Sequence, residues 1–392
     1  MLVWIVNPFD NLPAEGCRPQ RYWLMSEALA AAGHEVVYWT SDFSHARKAP
    51  RVMRGESAAP HPGISLRLVP TQPYSENVSL ARVRSHRALA SDWLALARGE
   101  EARPDVVVAS LPPLALPLAA MEFARSAGAK FVVDVMDDWP GTFRRLLPRG
   151  LGWLGGPLLA SARRTAERVY RGADLVTGVC DRYGGLVRGK SAAEYRRAYH
   201  GIELGPAPAA REGRGGGRLR LVYAGSLGRT YDLATALEAV ARNPGWTLDV
   251  AGEGEGRAEL EASAASPRLA GRVRIHGYLG RRELCALLSE CDVGIVPMAP
   301  ESCVGIPYKL ADYAASSLAV ASSLGGESAA LLERYGAGAA YAPGDADSLV
   351  AAVGALAGRL AEARSASRRM AEAEFDAKII YASYAGWLEK MV

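Results

Sequence analysis

The chain is 392 residues long, 49% hydrophobic and 22% charged, with a formal net charge of +4. That length carries two domains of ordinary size, that composition excludes a disordered chain, and so modest a charge gives no reason to expect a nucleic-acid partner. Five cysteines, an odd number without a CxxC, argue against a disulfide framework, and the scattered His and Cys show no zinc-ligand spacing.

The opening MLVWIVNPF lacks a basic lead-in and turns polar after six residues. It reads as a first strand over 2–6 and not as a signal peptide. A loop over 7–19 contains Gly16. A helix is expected over 21–32, closed by Gly33, and a strand over 35–40. Near-continuous apolar strands in a βαβ order mean a parallel sheet covered on both faces. Residues 41–77 are polar and Pro-rich, a surface excursion with a short strand at 66–69. A helix over 79–97 then carries Arg82, Arg84, His86 and Arg87. It is followed by a strand over 105–110, a helix over 114–126 and a strand over 130–135 that ends at MDDWP.

Residues 142–171 hold seven arginines against one acid, Glu167, with Trp153, Leu154, Leu158 and Leu159 among them. Such a basic, partly amphipathic segment suits an anionic membrane surface. The plainer alternative is a surface helix with a solvated basic face. No run reaches the roughly 18 apolar residues of a spanning helix. The expected location is therefore cytoplasmic, at most peripheral on the inner face of a membrane.

A strand over 175–179 leads towards a Pro- and Gly-rich stretch, 197–218, that passes from strand to linker. The alternation then restarts, with strands over 220–223, 247–251, 273–276, 293–296 and 318–322, a helix over 345–358 and a last helix over 377–391. The expected organisation is a first Rossmann-like domain over 1–202, a linker over 203–217, a second such domain over 218–376, and a terminal helix over 377–392 crossing back to the first. Ligands of such sheets bind outside the carboxyl ends of the strands, here in a cleft faced by both domains.

Residues 293–328 concentrate the chemistry. They read as a strand, a Gly/Pro loop, a helix opening at Pro307 and a second strand. The helix start offers unpaired N–H groups and a positive dipole end to an anion such as a diphosphate. Lys309 adds a positive charge at the mouth, and Asp312 lies where a carboxylate can accept hydrogen bonds from a ribose diol. The bland alternative is one more α/β crossover with a solvated Lys and Asp.

Four blocks stand in order in the second half: LVYAGSLGRTYDLATALEAV (221–240), LDVAGEGEG (248–256), VRIHGYLGRRELCALLSECDVGIVPM (273–298) and IPYKLADYAASSLAVASS (306–323). In the first half are NPFDNLPAEG, LAAAGHEVVYWT, ADLVTGVC and YHGIE. Together they resemble the GT-B-fold retaining glycosyltransferases of the group 1, family 4-like type, over nearly the whole chain. The IPYKLADY block is most similar to the subgroup that attaches sugars to polyprenyl-linked or other cell-envelope glycans. The resemblance implies an α/β fold of two doubly wound Rossmann-like domains facing a central cleft. It implies transfer from a nucleoside-diphosphate sugar, UDP favoured, to a glycan or lipid-linked acceptor, with no metal and no cofactor.

The resemblance also assigns roles residue by residue. Gly225, Ser226 and Leu227 would turn bare backbone towards the diphosphate, with Arg229 as charge partner. Gly252 belongs to the GxGxG turn, a common and weak signal on its own. Gly277, Tyr278 and Leu279 would hold the base. Gly305, Ile306 and Tyr308 flank the helix start, and Asp312 would grip the ribose hydroxyls. Gly16 would close over the diphosphate from the first domain. Three departures stand out. Val304 occupies the place of the first Glu in the family's Glu-x7-Glu motif, with Glu301 three residues earlier as a substitute or a plain loop acid. Tyr231 stands where the family has a lysine, so Lys309 would supply that charge. Met136 replaces a family histidine, leaving Asp137 as the candidate base, or else as a helix cap or hinge residue. Catalytic candidates are thus Asp137, Glu301 and Lys309. His200 aligns with a hinge Asn. Two other readings stay open: a nucleotide-sugar 2-epimerase of the same fold, and a non-catalytic subunit.

Overall fold

The structure, a computed structural model, describes all residues except Gly16, 52–60, Val78, 147–158, 209–216, Arg229, Glu301 and Cys303, with backbone alone for 144–146. The chain divides into two compact units, Met1–Gly201 with Ala377–Val392, and Ile202–Asp376.

The first unit runs β1 (Leu2–Val6), α1 (Arg21–Ala31), β2 (Glu35–Ser41), a small hairpin β3 (Phe43–Ser44) and β4 (Ala49–Pro50), β5 (Ile64–Val69), α2 (Leu80–Gly99), β6 (Val106–Leu111), α3 (Ala115–Ala127), β7 (Lys130–Val135), α4 (Ala160–Gly172), β8 (Leu175–Gly178), α5 (Asp181–Val187) and β9 (Glu194–Arg197). Among the described residues its main sheet is seven-stranded and parallel, in the order β5-β2-β1-β6-β7-β8-β9. Every residue of β6 is buried, as a strand covered on both faces requires. Strand β9 carries no apolar run; EYRR is half-buried or exposed and joins the sheet edge by its backbone. That is why periodicity alone did not mark it.

The second unit runs β10 (Leu219–Ala224), α6 (Leu233–Arg242), β11 (Trp246–Ala251), α7 (Arg257–Ala264), β12 (Val273–Gly277), α8 (Arg281–Glu290), β13 (Val293–Val296), α9 (Tyr308–Ala315), β14 (Ala319–Ser322), α10 (Glu327–Tyr335), β15 (Gly338–Ala340), α11 (Ala346–Ala357) and α12 (Leu360–Met370). Its sheet is parallel in the order β12-β11-β10-β13-β14-β15. The strand order reverses around β10, with β11 on one side and β13 on the other, which is where a doubly wound sheet opens a crevice. The helices begin where capping chemistry says: Asp345 accepts from Ser348 N at 3.0 Å, and Asp232 from Thr235 N at 3.1 Å. Pro307 is the residue before α9, extended at ψ 145°, so this helix opens at Tyr308 and not at Pro307 as expected.

The terminal helix α13 (Ala377–Glu389) packs against α1 within the first unit. Beneath it lies a fully buried ion pair. Arg21 Nε donates to Asp134 Oδ2 at 2.7 Å and Nη2 to Oδ1 at 2.8 Å. Tyr22 and Thr177 hydroxyls also donate to Asp134, at 2.7 and 2.6 Å, and Arg21 Nη1 reaches the carbonyls of Ala198 and Tyr199. Burial works against the Asp134 charge, yet the Arg21 charge and these hydrogen bonds hold its pKa below the ordinary carboxylate value.

Candidate active site

The second unit gathers its candidate residues at the carboxyl edge of β10, β11 and β12 and at the start of α9. Gly225 follows β10 with φ +152° and donates its N–H to Ala251 O at 2.9 Å. Gly252 follows β11 with φ +150°, and a Cβ there would lie 1.8 Å from Gly225 O. Two backbone turns therefore cross in contact, which only glycine permits. The Leu227 N–H is also engaged, with Glu253 O at 2.9 Å. These two N–H groups are thus spent inside the protein and do not face a diphosphate; Ser226 between them is the exposed residue of the turn. The Gly252 N–H reaches Gly277 O at 2.7 Å, so the turns after all three strands form one hydrogen-bonded rim. Beyond Gly277, Tyr278 is exposed and Leu279 half-buried.

Lys309 is the second residue of α9, and its side chain runs inward under this rim. The residue is only 6% exposed, so its charge is not held at an open mouth as expected. Its Nζ stands 4.2 Å from the ring centroid of Tyr223 and 3.4 Å from that of Tyr231. Both rings are within the range of a cation–π contact. Among the described residues no hydrogen-bond acceptor reaches this Nζ. Burial drives the Lys309 pKa well below the ordinary lysine value, and the Asp312 carboxylate, one turn along the helix, opposes that only in part. A Cβ at residue 225 would come 2.9 Å from Nζ, so Gly225 also makes the space in which the amine sits. Tyr231 has its ring against the amine that Lys309 delivers from another element.

The supporting side chains escaped sequence reasoning. Tyr223 sends its hydroxyl to Ser226 O at 2.6 Å and fixes the turn. Tyr313 accepts from Ala224 N at 2.8 Å and donates to Ile295 O at 3.2 Å, pinning α9 to two strands. The available signal was Gly294, whose missing side chain leaves room for the Tyr313 ring. Gly305 O accepts from Ser328 Oγ at 2.8 Å, Ile306 is buried and Tyr308 is half-buried. Gly16, Arg229 and Glu301 lie outside the described residues.

Asp137 belongs to the first unit, just past β7. Its Oδ1 accepts from Asp138 N at 2.8 Å and from the Thr142 hydroxyl at 3.4 Å, and burial raises its pKa. A carboxyl so placed is poised to take a proton more readily than a solvated one.

Residues 218–359 match the family "Glycosyl transferases group 1", and residues 19–201 match "Glycosyl transferase 4-like domain". A glycogen synthase of Mycobacterium tuberculosis is 26% identical over 377 residues, covering 90% of this chain and 86% of its own. The sucrose-phosphate synthase of Thermosynechococcus elongatus superposes with a TM-score of 0.76 at 15% identity, over 100% of this chain and 98% of the other. The Anabaena protein HepE, solved with UDP and glucose, gives 0.70 at 15% identity over 100% of both chains. The chain thus carries, in order, a region matching the glycosyl transferase 4-like family and one matching the group 1 glycosyl transferases, in the GT-B fold.

Proposed function

We propose that the protein moves a sugar from a nucleoside-diphosphate sugar, UDP-sugar favoured, to an acceptor hydroxyl with retention at the anomeric carbon. The observation that carries this reading is the Lys309 amine, buried, unpaired among the described residues, and set beside Gly225 at the start of a helix. A buried amine without an anion is costly, and an incoming diphosphate would restore its charge. The start of α9 presents the positive end of the helix dipole, which would favour the same anion. Asp312 would take the ribose hydroxyls, and Tyr278 and Leu279 the base. HepE, of the same fold, was solved with UDP and glucose, which supports the choice of nucleotide.

In the transfer, the bond from C1 of the sugar to the diphosphate oxygen breaks and the electron pair leaves with the diphosphate. The acceptor oxygen bonds to C1, and its proton passes to Asp137 or to the departing phosphate. Lys309 and the helix start stabilise the charge that develops, an electrostatic role needing no metal or cofactor. Gly16, Arg229 and Glu301 stay candidates for the diphosphate, with Glu301 also a candidate for catalysis. For the acceptor we favour a cell-envelope glycan or glycolipid reached from the cytoplasmic membrane face. The likeness to a glycogen synthase favours a second choice, glycogen.

Acceptor-dependent UDP release from a panel of UDP-sugars tests the reading. Release that Lys309→Met abolishes supports it. UDP-sugar epimerisation without transfer, or nucleotide binding without any turnover, would point to the epimerase or the non-catalytic subunit instead.

A further inference from the structure

The first unit contains a cluster that the transfer reaction as described does not use. It lies between the loop after β1, the β3–β4 hairpin, the start of α2 and the turn after β7. Arg82 stands among three rings, its Cζ 5.8 Å from the centroid of Phe9, 5.9 Å from Tyr74 and 5.2 Å from Trp139. Lys48 Nζ sits 4.9 Å from the Tyr74 centroid and donates to Asn77 Oδ1 at 2.7 Å and to His45 Nδ1 at 3.1 Å. The His45 Nδ1 is also 2.6 Å from the Tyr74 hydroxyl. Arg82 Nε donates to His86 Nε2 at 3.4 Å. Lysine and arginine only donate, so both imidazoles accept at these nitrogens and carry their protons on the other one. Phe9, His45, Tyr74 and His86 line a small recess here.

Two features set this cluster apart from ordinary packing. Lys48 is held at φ +54°, a left-handed conformation that costs a non-glycine residue roughly 1 kcal/mol or more. Its four basic groups also press on one another. Burial, then Lys48 and Arg82, lower the His45 pKa to about 3. Burial, then Arg82, His45 and Lys48, lower that of His86 to about 3. Burial and then Arg82 lower that of Lys48 to about 8. Asp137 acts on Arg82 from the turn after β7. No ion pair joins Lys48 or Arg82 to a carboxylate among the described residues. Lys48 and Arg82 thus repel one another with no directly paired carboxylate and only the Asp137 charge acting on Arg82, and a bound anion would lower that cost.

We propose that this cluster binds a phosphate group on the acceptor, with Lys48 and Arg82 as its charge partners, and the aromatic rings receiving the neighbouring sugar ring. The inference rests on the transferase reading and adds the acceptor's chemical class to it. Arg82 is an electrostatic neighbour of Asp137 and packs on Trp139, two residues further along, so a phosphate held here keeps the acceptor beside the candidate base. The phosphate could belong to a lipid-linked sugar or to a free sugar phosphate; the charge recognition is the same, and only hydrocarbon contact would separate them.

The experiment measures binding of three probes by calorimetry to protein saturated with UDP, so that the nucleotide site is already filled. The probes are glucose 1-phosphate, farnesyl phosphate and octyl glucoside, the last without an anion. The expected result is that at least one phosphate probe binds and octyl glucoside binds at least tenfold more weakly. Tighter binding of farnesyl phosphate assigns the lipid-linked source, and equal binding the free sugar phosphate. Arg82→Gln and, independently, Lys48→Gln should weaken phosphate binding at least tenfold with UDP affinity unchanged. Lys48 lies in a hairpin outside the main sheet, so its variant serves if Arg82→Gln does not fold. Phosphate probes that fail to bind, or bind parent and both variants alike, overturn the proposal. Failure of UDP itself to bind would instead count against the transferase reading.

Discussion

Two buried basic side chains, one in each unit, make opposite statements. Arg21 is completely enclosed and each of its three nitrogens is answered: Nε and Nη2 donate to a carboxylate, and Nη1 to two carbonyls. Lys309 is nearly as enclosed and, among the described residues, has two ring faces and the more distant Asp312 charge but no hydrogen-bond acceptor. A buried ion pair with every hydrogen bond made is a structural device, and removing one partner strands the other. A buried amine with no acceptor lowers stability and persists where something outside the chain completes it. Burial alone therefore does not separate core from site; the state of the partner list does.

That contrast is broken first at Asp134. Asp134→Ala should cost about 3–5 kcal/mol, because Arg21 is left charged in a dry interior. Chemical denaturation would show it, and a loss below 1 kcal/mol would mean that water or a neighbour replaces the carboxylate. The sign of the pH dependence follows. The Asp134 pKa is lower in the folded protein, so its contribution is present above the unfolded value and is lost as pH falls through the folded one.

Gly225→Ala tests the crowding around Lys309. The substituted residue must hold φ +152° and crowd an amine 2.9 Å away. A cost of about 1–3 kcal/mol in stability is expected, together with weaker nucleotide binding. Unchanged UDP affinity would show that the amine has room to move and that the glycine serves only the crossing turns. Asp312→Asn sharpens the ligand side. It should reduce affinity for UDP by about tenfold, the worth of a charged hydrogen bond to a sugar hydroxyl at about 1.5 kcal/mol, without unfolding. Equal affinities by calorimetry would remove Asp312 from the ribose.

The weakest effect is expected at the basic segment. Helix α4 buries Ala166, Val169 and Tyr170 against its own unit and pairs Arg168 with Glu122 at 3.1 Å. It therefore offers a membrane charge and little apolar surface, while Trp153, Leu154 and Leu158 lie outside the described residues. Arg164→Ser should weaken binding to anionic vesicles by about 1 kcal/mol, roughly fivefold, at low salt. Absence of co-sedimentation by the parent protein would make a soluble acceptor the better choice.

Much of the fold was legible because its strands are apolar runs punctuated by glycine and helix caps. Residues 2–6, 130–135 and 293–296 coincide with β1, β7 and β13. Strand β9 was not legible, because a charged edge strand is specified by its neighbour's backbone. In the site, Lys309 and Asp312 could be named from a helix start that follows a strand. Where Lys309 points could not, since that depends on Tyr223 and Tyr231 from a different strand and loop. Asp134 reads in sequence as a lone acid inside an apolar run; its partner is 113 positions away. The cluster around Arg82 was visible only as a basic helix, because its rings come from three other segments.

The central claim, that Lys309 waits for a diphosphate, has a direct test. The amine's pKa is held well below the ordinary lysine value by burial, and a neighbouring diphosphate would raise it. Binding of UDP must then take up a proton at pH values between the two, and affinity must fall as pH rises through the pKa of the complex. Calorimetric titration with UDP in buffers of different ionisation heats measures that proton directly. The account predicts uptake by the parent protein that disappears in Lys309→Met, with affinity at least tenfold lower. Equal affinity and equal proton linkage in the two proteins would contradict it.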